Sequence, residues 1–308
     1  MSRDTALASA PGKINVSLHV GPLREDGYHS LASVFLAVSL REDVRATRRL
    51  DPGIGLSVTI ADGLDVDPDS IPLDERNLAH RAAALLAAHA GLEPALDLEI
   101  TKRIPVAGGM AGGSADAAAT LVACNELWGC GLTREELATL GTELGADVPF
   151  CLLGGAAVGL GVGDELTTAL VHGLVHWVVV PAEFGLSTPE VFRTLDRLRD
   201  AEGFDAPEPH TVDAAILAAL RSADAHALST LMVNDLQRAA VELAPELRDV
   251  LGLGESLGAL AGLVSGSGPT LAFLCEDASA AHALAEALRH EGHAALAVDS
   301  PGAGARVH

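Results

Sequence analysis

Over the first hundred residues the apolar positions fall mostly two apart. Ile14, Val16, Leu18 and Val20 alternate with polar neighbours, and residues 33–40, 54–60 and 96–101 are alternating or rich in β-branched side chains. Each of these stretches predicts a strand. Between Asn77 and Ala90 the spacing changes to that of a helix, with Leu78, Ala82, Leu85 and Leu86 on one side and Gly91 placed to close it in a left-handed cap.

Beyond residue 101 the pattern becomes mainly helical. Residues 114–127 keep a helical period, and Thr133 followed three positions later by Glu136 is a capping-box pattern that opens a helix running to Leu144. A glycine-rich stretch at 154–163 leads into strands, of which 175–180 is the most apolar. Helices are then expected over 188–199, 212–220 and 236–251. Strands at 262–265 and 270–275 flank a glycine turn, and a helix at 279–289 and a strand at 294–298 follow. Residues 201–210 are the most linker-like stretch, and their Pro and acidic residues fit a surface loop equally well. The glycine-rich stretch gives way near Val171, and the chain is expected to divide there into two parts, 1–171 and 172–308.

Composition narrows the function. The chain has 308 residues, enough for two domains with sizeable cores, and is 49% hydrophobic but only 3% aromatic. Its core must therefore come from Ala, Val and Leu, and each aromatic ring draws attention. Formal charge is −22, a surface that repels nucleic acid and anionic lipid and excludes polyanion binding as the main role. A small anionic ligand is still compatible with it, because backbone N–H groups and one or two lysines dominate at contact distance. The four cysteines show no C-x-x-C spacing and sit in apolar surroundings, as reduced thiols of a cytoplasmic protein would. Neither a signal-peptide pattern nor a run of membrane-spanning length is present.

The glycine segment Pro105-Val-Ala-Gly-Gly-Met-Ala-Gly-Gly-Ser-Ala115 carries the most chemistry. Gly108, Gly109, Gly112, Gly113 and Ser114 lie between a strand and a helix expected to begin at Ser114. Glycines let the backbone approach a phosphate, and free N–H groups at a helix start attract its charge. The same pattern also describes a plain turn with Ser114 as helix N-cap. It is neither a P-loop, because Ser114 stands where that motif needs Lys, nor a dinucleotide fingerprint. The cation must come from elsewhere, and Lys13 behind its Pro-Gly turn is the candidate, with Lys102 a possible second.

Phosphoryl transfer also needs a group to accept or orient the proton of the attacking hydroxyl, and Asp147, set between apolar neighbours, is suited to that. The turn at Asp26-Gly-Tyr-His29 sets an aromatic face beside a ring able to hydrogen-bond. No spacing of His residues fits a zinc site, so no metal ligands are assigned.

In order along the chain, Pro11-Gly-Lys-Ile-Asn15, the 105–119 glycine segment and Val264-Ser-Gly-Ser-Gly-Pro269 resemble the three motifs of the GHMP kinase superfamily. Arg24-Glu-Asp-Gly-Tyr-His29, Gly145-Ala-Asp-Val-Pro149 and Ser187-Thr-Pro-Glu-Val-Phe192 are further similar to its 4-diphosphocytidyl-2-C-methyl-D-erythritol kinase family. The resemblance covers nearly the whole chain. It implies an α+β fold in two GHMP-type domains, the C-terminal one ferredoxin-like, with which the strand and helix pattern is compatible, and ATP-dependent phosphorylation of the 2-hydroxyl of 4-diphosphocytidyl-2-C-methyl-D-erythritol in the non-mevalonate isoprenoid route.

By that resemblance Asp147 is the base and Lys13 its partner cation. The glycine loop from Pro105 to Ala115 cradles the ATP phosphates, accompanied by Mg2+, with Asn77 and Lys102 near the nucleotide. Tyr28 and Phe192 sandwich the cytosine, His29 reads its edge, and Asn15 and Thr188 contact the substrate. The loop departs from the family at Met110-Ala111, where Leu-Gly is usual, which bears on the backbone path at Ala111. A GHMP kinase for mevalonate-like or homoserine-like alcohols, and a non-catalytic sensor on the same scaffold, are the competing readings. The sequence does not define an oligomeric state.

Overall fold

The computed structural model describes residues 4–61, 64, 67–106 and 108–308. The alternating N-terminal stretches become two long antiparallel strands, β1 (Thr5–Leu23) and β2 (His29–Arg48), followed by β3 (Gly53–Ile60). Helix α1 (Leu78–Ala90) ends where Gly91 takes a left-handed φ of 65°, and β4 (Ala95–Lys102) then pairs antiparallel with β2 and parallel with β3. Helix α2 (Gly112–Trp128) follows, then α3 (Arg134–Gly141), opened by the Thr133/Glu136 capping box, and α4 (Asp147–Leu153). Strands β5 (Ala156–Leu160) and β6 (Glu165–Ala169) continue the sheet from β2.

The second sheet starts at β7 (Val175–Val180). Helices α5 (Thr188–Glu202), α6 (Ala214–Ser222) and α7 (Ala225–Ser229), a short β8 (Val233–Asn234), and helices α8 (Gln237–Leu243) and α9 (Glu246–Ser256) lead to β9 (Ala261–Val264), β10 (Leu271–Cys275), α10 (Ala278–His290) and β11 (Leu296–Ser300). Its order β11-β7-β10-β9, with every adjacent pair antiparallel, is the 4-1-3-2 order of a ferredoxin-like βαββαβ unit. The apolar character of 175–180, interrupted only by His176, is explained by burial on both faces. Trp177 and Val179 join the core shared with the first sheet, while Val178 and Val180 pack with Phe273 and Leu284 beneath the helices.

Chain from the second half also returns to the first sheet. β8 lies parallel to Ser17–Leu18 of β1, and β12 (Arg306–Val307) pairs antiparallel with Ala8–Ser9. β1 is thereby held on its second side at Ala8–Ser9 and at Ser17–Leu18. These two-residue strands carry no readable alternation, which is why the sequence does not announce them.

Several expected helix bounds move by two or three residues, α3 closing at Gly141 rather than Leu144 and α5 running on to Glu202, and two differences have a clear cause. Helix α2 begins at Gly112 rather than Ser114, because Ala111 itself turns the chain in a left-handed conformation (φ 60°, ψ 32°) and no side chain caps the helix. Ser114 is thus inside the first turn. The apolar period over 236–251 is divided into α8 and α9 at Pro245, whose ring cannot continue a helix. Helix α2 is buried on nearly every side, through Ala115, Ala117, Ala118, Ala119, Leu121 and Ala123, and these small side chains let it lie close to β1 and β2. The loop that leads into it is held against the bulge of β1 between Pro11 and Lys13, where Lys13 N–H donates to Met110 O.

Candidate active site

The register of β1 against β2 shifts between Pro11 and Lys13, and there the strand meets the glycine loop. Lys13 N–H donates to the Met110 carbonyl at 3.1 Å, and a Cβ on Gly12 would sit 3.0 Å from Ile104 Cδ1 and 3.2 Å from that same carbonyl. On its other side the loop is interlocked with the 265–268 turn. A side chain on Gly109 would overlap the Ser265 carbonyl, one on Gly108 the Thr270 hydroxyl, and Thr270 N–H donates to Gly108 O at 3.3 Å. Gly266 (φ 58°) comes within 3.2 Å of Asn15 Oδ1 and 3.6 Å of Lys13 Nζ, measured from the position its Cβ would take. The three glycine-bearing segments therefore form one packed unit in which backbone approaches backbone.

Asn234, on β8, ties that unit to the second half. Its amide donates to Val264 O and Gly266 O, each at 2.7 Å, and its Oδ1 accepts from Leu236 N–H at 2.9 Å. All of the amide's main hydrogen-bonding directions are used, which fixes the turn rigidly.

A cleft of about 720 Å³ opens along this unit. One end is lined by Gly109, Ala111, Ser114, Lys13, Asn15, Asp147 and Gly266. The N–H groups of Gly112, Gly113 and Ser114 belong to the first turn of α2, where no preceding helical carbonyl exists to accept them, so this end suits an anion. Lys13 Nζ donates to Asn15 Oδ1 at 2.6 Å and lies 3.8 Å from Asp147 Oδ2. Asn15 is oriented in turn by donating to Ser33 Oγ (2.7 Å), which donates to Ser17 O (2.8 Å). The Phe35 ring lies 5.3 Å from Lys13 Nζ and packs at 5.4 Å on Phe150 of α4, the helix that begins with Asp147. Lys13 is 6% exposed, whereas the Asp147 side chain is 33% exposed to the cleft. A fixed cation and an accessible carboxylate thus share one wall.

The far end is aromatic. Phe192 and Asp196 are one turn apart on α5 and both line the cleft. The His29 ring stacks on Phe192 with centroids 5.0 Å apart and donates through Nε2 to Asp196 Oδ1 at 2.9 Å. Tyr28, at the tip of the turn closed by Arg24 and Asp26, is 64% exposed beside them. Thr188, the first residue of α5, shares a 2.8 Å hydrogen bond with Ser267 and so links both ends.

The remaining expected residues are placed elsewhere. Asn77 caps α1, accepting from Ala79 N–H and donating to Pro72 O, both at 2.9 Å. Pro105 and Ala115 are buried behind the loop. Lys102 is 3% exposed and lies below α2, paired with Glu42 at 2.5 Å and Asp116 at 2.7 Å, so its ammonium is already committed and does not line the cleft. Burial opposes the Lys102 charge, but the two carboxylates outweigh it and hold its pKa above the ordinary value. Sequence reasoning passed over Ser33, Phe35, Asp196, Asn234, Glu42 and Asp116. Asp116 had a signal, as the one acid in the alanine-rich first half of α2, and Asp196 had its four-residue spacing from Phe192.

A second cavity, of about 750 Å³, lies under α8 and α9 around Arg238, Glu242 and Pro245, and of these groups it is lined by Asn234 alone. Chemistry rather than size singles out the cleft.

Comparison with known proteins agrees with this geometry. Residues 77–155 match the GHMP kinases N terminal domain and residues 216–294 the GHMP kinases C terminal family. A homoserine kinase from Cytophaga hutchinsonii shares the fold at 18% identity, with a TM-score of 0.72 over 100% of this chain and 98% of its own. The chain is a GHMP kinase, one of the ATP-dependent small-molecule kinases. The crystal structure of a 4-(cytidine 5'-diphospho)-2C-methyl-D-erythritol kinase superposes with a TM-score of 0.78 at 34% identity, covering 96% of this chain and 99% of that one. Relatives named 4-diphosphocytidyl-2-C-methyl-D-erythritol kinase, from Pseudarthrobacter chlorophenolicus and an Arthrobacter species, are each 65% identical over 303 residues, 98% of this chain and 95% of theirs. Within the GHMP kinases, the chain belongs to the 4-diphosphocytidyl-2-C-methyl-D-erythritol kinase family.

Proposed function

We propose that this protein transfers the γ-phosphoryl group of ATP to the 2-hydroxyl of 4-diphosphocytidyl-2-C-methyl-D-erythritol, in the route that makes isoprenoid precursors without mevalonate. The observation that carries the reading is one cleft with the Lys13–Asp147 pair at its anion-binding end and His29 and Phe192 at its aromatic end. Asp147 accepts the proton of the attacking hydroxyl, and Lys13, held by Asn15 and Phe35, steadies negative charge on the transferring group. The backbone N–H groups from Gly108 to Ser114 hold phosphate oxygens, while Ala115, whose N–H is given to Ala111 O at 2.9 Å, joins Pro105 and Asn77 in shaping the loop and the helix beside it. Tyr28 and Phe192 flank the base, His29 reads its edge, and Asn15 and Thr188 orient the alcohol.

Among the described residues no three or more His, Cys, Asp or Glu side chains cluster as a metal cage. That donor set fits magnesium carried on phosphate oxygens, which needs only one or two protein ligands, and Ser114 and Asp147 have oxygens to offer. When bound, the ion supplies charge neutralisation to the phosphates. Residues 1–171 form the part that holds phosphate and base, and residues 172–308 the part that closes the cleft through α5 and the 265–268 turn. Four free thiols are in keeping with a cytoplasmic setting.

A coupled ADP-release assay tests the reading across three alcohols. Turnover is expected with 4-diphosphocytidyl-2-C-methyl-D-erythritol and not with mevalonate or homoserine. Turnover of either of the latter with none of the former would overturn the substrate assignment.

A further inference from the structure

Asp196 plays no part in the chemistry at Lys13 and Asp147, yet its carboxylate is aimed at the ring that faces the base. His29 Nε2 lies 2.9 Å from Asp196 Oδ1, and the ring is pressed against Phe192 with an interplanar angle of 29°. A carboxylate only accepts, so the proton of this hydrogen bond is on Nε2. Nδ1 of a neutral ring is then an acceptor. It makes no hydrogen bond with the described residues and is not among their sealed polar atoms, so it is open to the cleft. The stack on Phe192 and the hydrogen bond to Asp196 together fix the plane and the sense of the ring, since a flip breaks the second and a tilt breaks the first.

A lone pair fixed in this way favours a hydrogen-bond donor on the ligand. A pyrimidine with a 4-amino group offers one, whereas a 4-oxo pyrimidine offers only lone pairs at the same place. We propose that Asp196 is a specificity-determining residue: by holding the proton on His29 Nε2 it makes Nδ1 an acceptor and selects a cytosine over a uracil base. This rests on the reading that the aromatic end of the cleft holds the base of a nucleoside diphosphate. Discrimination of this kind is strong, because a wrong base leaves two facing lone pairs without a proton between them.

The test compares kcat/KM for 4-diphosphocytidyl-2-C-methyl-D-erythritol and its uridine counterpart in the wild type, Asp196→Asn and Asp196→Ala. The wild type is expected to favour the cytidine compound by about 100-fold or more, and both variants to lower that ratio at least about tenfold with the KM for ATP unchanged within about twofold. Nitrogen-15 spectra of labelled histidine provide a readout independent of turnover, with the Nε2–H tautomer expected for His29 in the wild type and a mixture in Asp196→Ala. An undiminished ratio in both variants, or an Nδ1–H tautomer in the wild type, overturns the role of Asp196. A wild type that turns over neither compound counts against the base-binding reading itself, and the inference falls with it.

Discussion

Two lysines, Lys13 and Lys102, meet acids about the same glycine loop under opposite conditions. Lys13 faces the cleft, with its nearest carboxylate, Asp147, 3.8 Å away and a third exposed. Lys102 is closed in beneath α2, with Glu42 at 2.5 Å and Asp116 at 2.7 Å and side-chain exposures of 4% or less for Lys102 and Glu42. The first arrangement leaves a charge pair available to a ligand. The second uses every charge internally, and Gly112 of the loop rests over it, its Cβ position 3.3 Å from Glu42 Oε1 and 3.4 Å from Lys102 Nζ. Two carboxylates to one ammonium leave a surplus negative charge in a dry site, so the pair retains a proton. Burial and then the charge of Asp116 push Glu42 up to about 8, and burial raises Asp116 against the pull of Lys102. Availability to a ligand, not the presence of a lysine and an acid, separates a reacting group from a structural one.

The contrast is broken most directly by removing one acid from each centre in turn. Asp147→Asn is expected to lower kcat by about 10²–10⁴-fold while nucleotide binding and melting temperature hold. Near-normal turnover in that variant would remove Asp147 from the proton-accepting role. Lys102→Met should act the other way, costing about 3–5 kcal/mol of folding stability by leaving two buried acids without a cation. Pairing it with Asp116→Leu is expected to restore much of that stability, and a denaturation series on the two variants checks both statements.

Glu42 sharpens the comparison through pH. Its folded pKa lies above the ordinary 4.5, so between there and about 8 the folded state binds more protons than the unfolded one. Stability contributed by this group is therefore greatest at the acid side of that window and declines as pH rises through it. Melting temperatures across the window should fall less steeply in Glu42→Gln than in the wild type, and parallel curves would contradict the shared proton. The smallest effect is expected at Ala111. Its left-handed backbone costs about 1 kcal/mol, but glycine in its place loses more chain entropy on folding, so Ala111→Gly should change stability by no more than about 0.5 kcal/mol and leave kcat unaltered.

Much of this was readable before any coordinates. Alternation at 14–20, 33–40, 54–60 and 96–101 marked strands because those stretches pack on one or both faces, and the Thr133/Glu136 and Gly91 signals marked helix ends because capping is local. Lys13 was legible as a candidate cation from its place behind a Pro-Gly turn, and Asp147 as a candidate proton acceptor from its apolar neighbours. Asp196 and Asn234 were not, since each acts on a partner more than 25 residues away in sequence, His29 and the 264–266 carbonyls. The place of Lys102 was equally hidden, because its commitment depends on Glu42 and Asp116 arriving from two other elements.

The sequence by itself determined the local elements, the anion-attracting start of α2 and the residue types able to move a proton, because periodicity, capping and ionisation are properties of short stretches. Tertiary structure decided which of those groups a ligand can reach. Whether a lysine faces solvent or two carboxylates, and whether a histidine offers a proton or a lone pair, depends on side chains that only the packing of β1, β2, α2 and α5 brings within hydrogen-bonding distance.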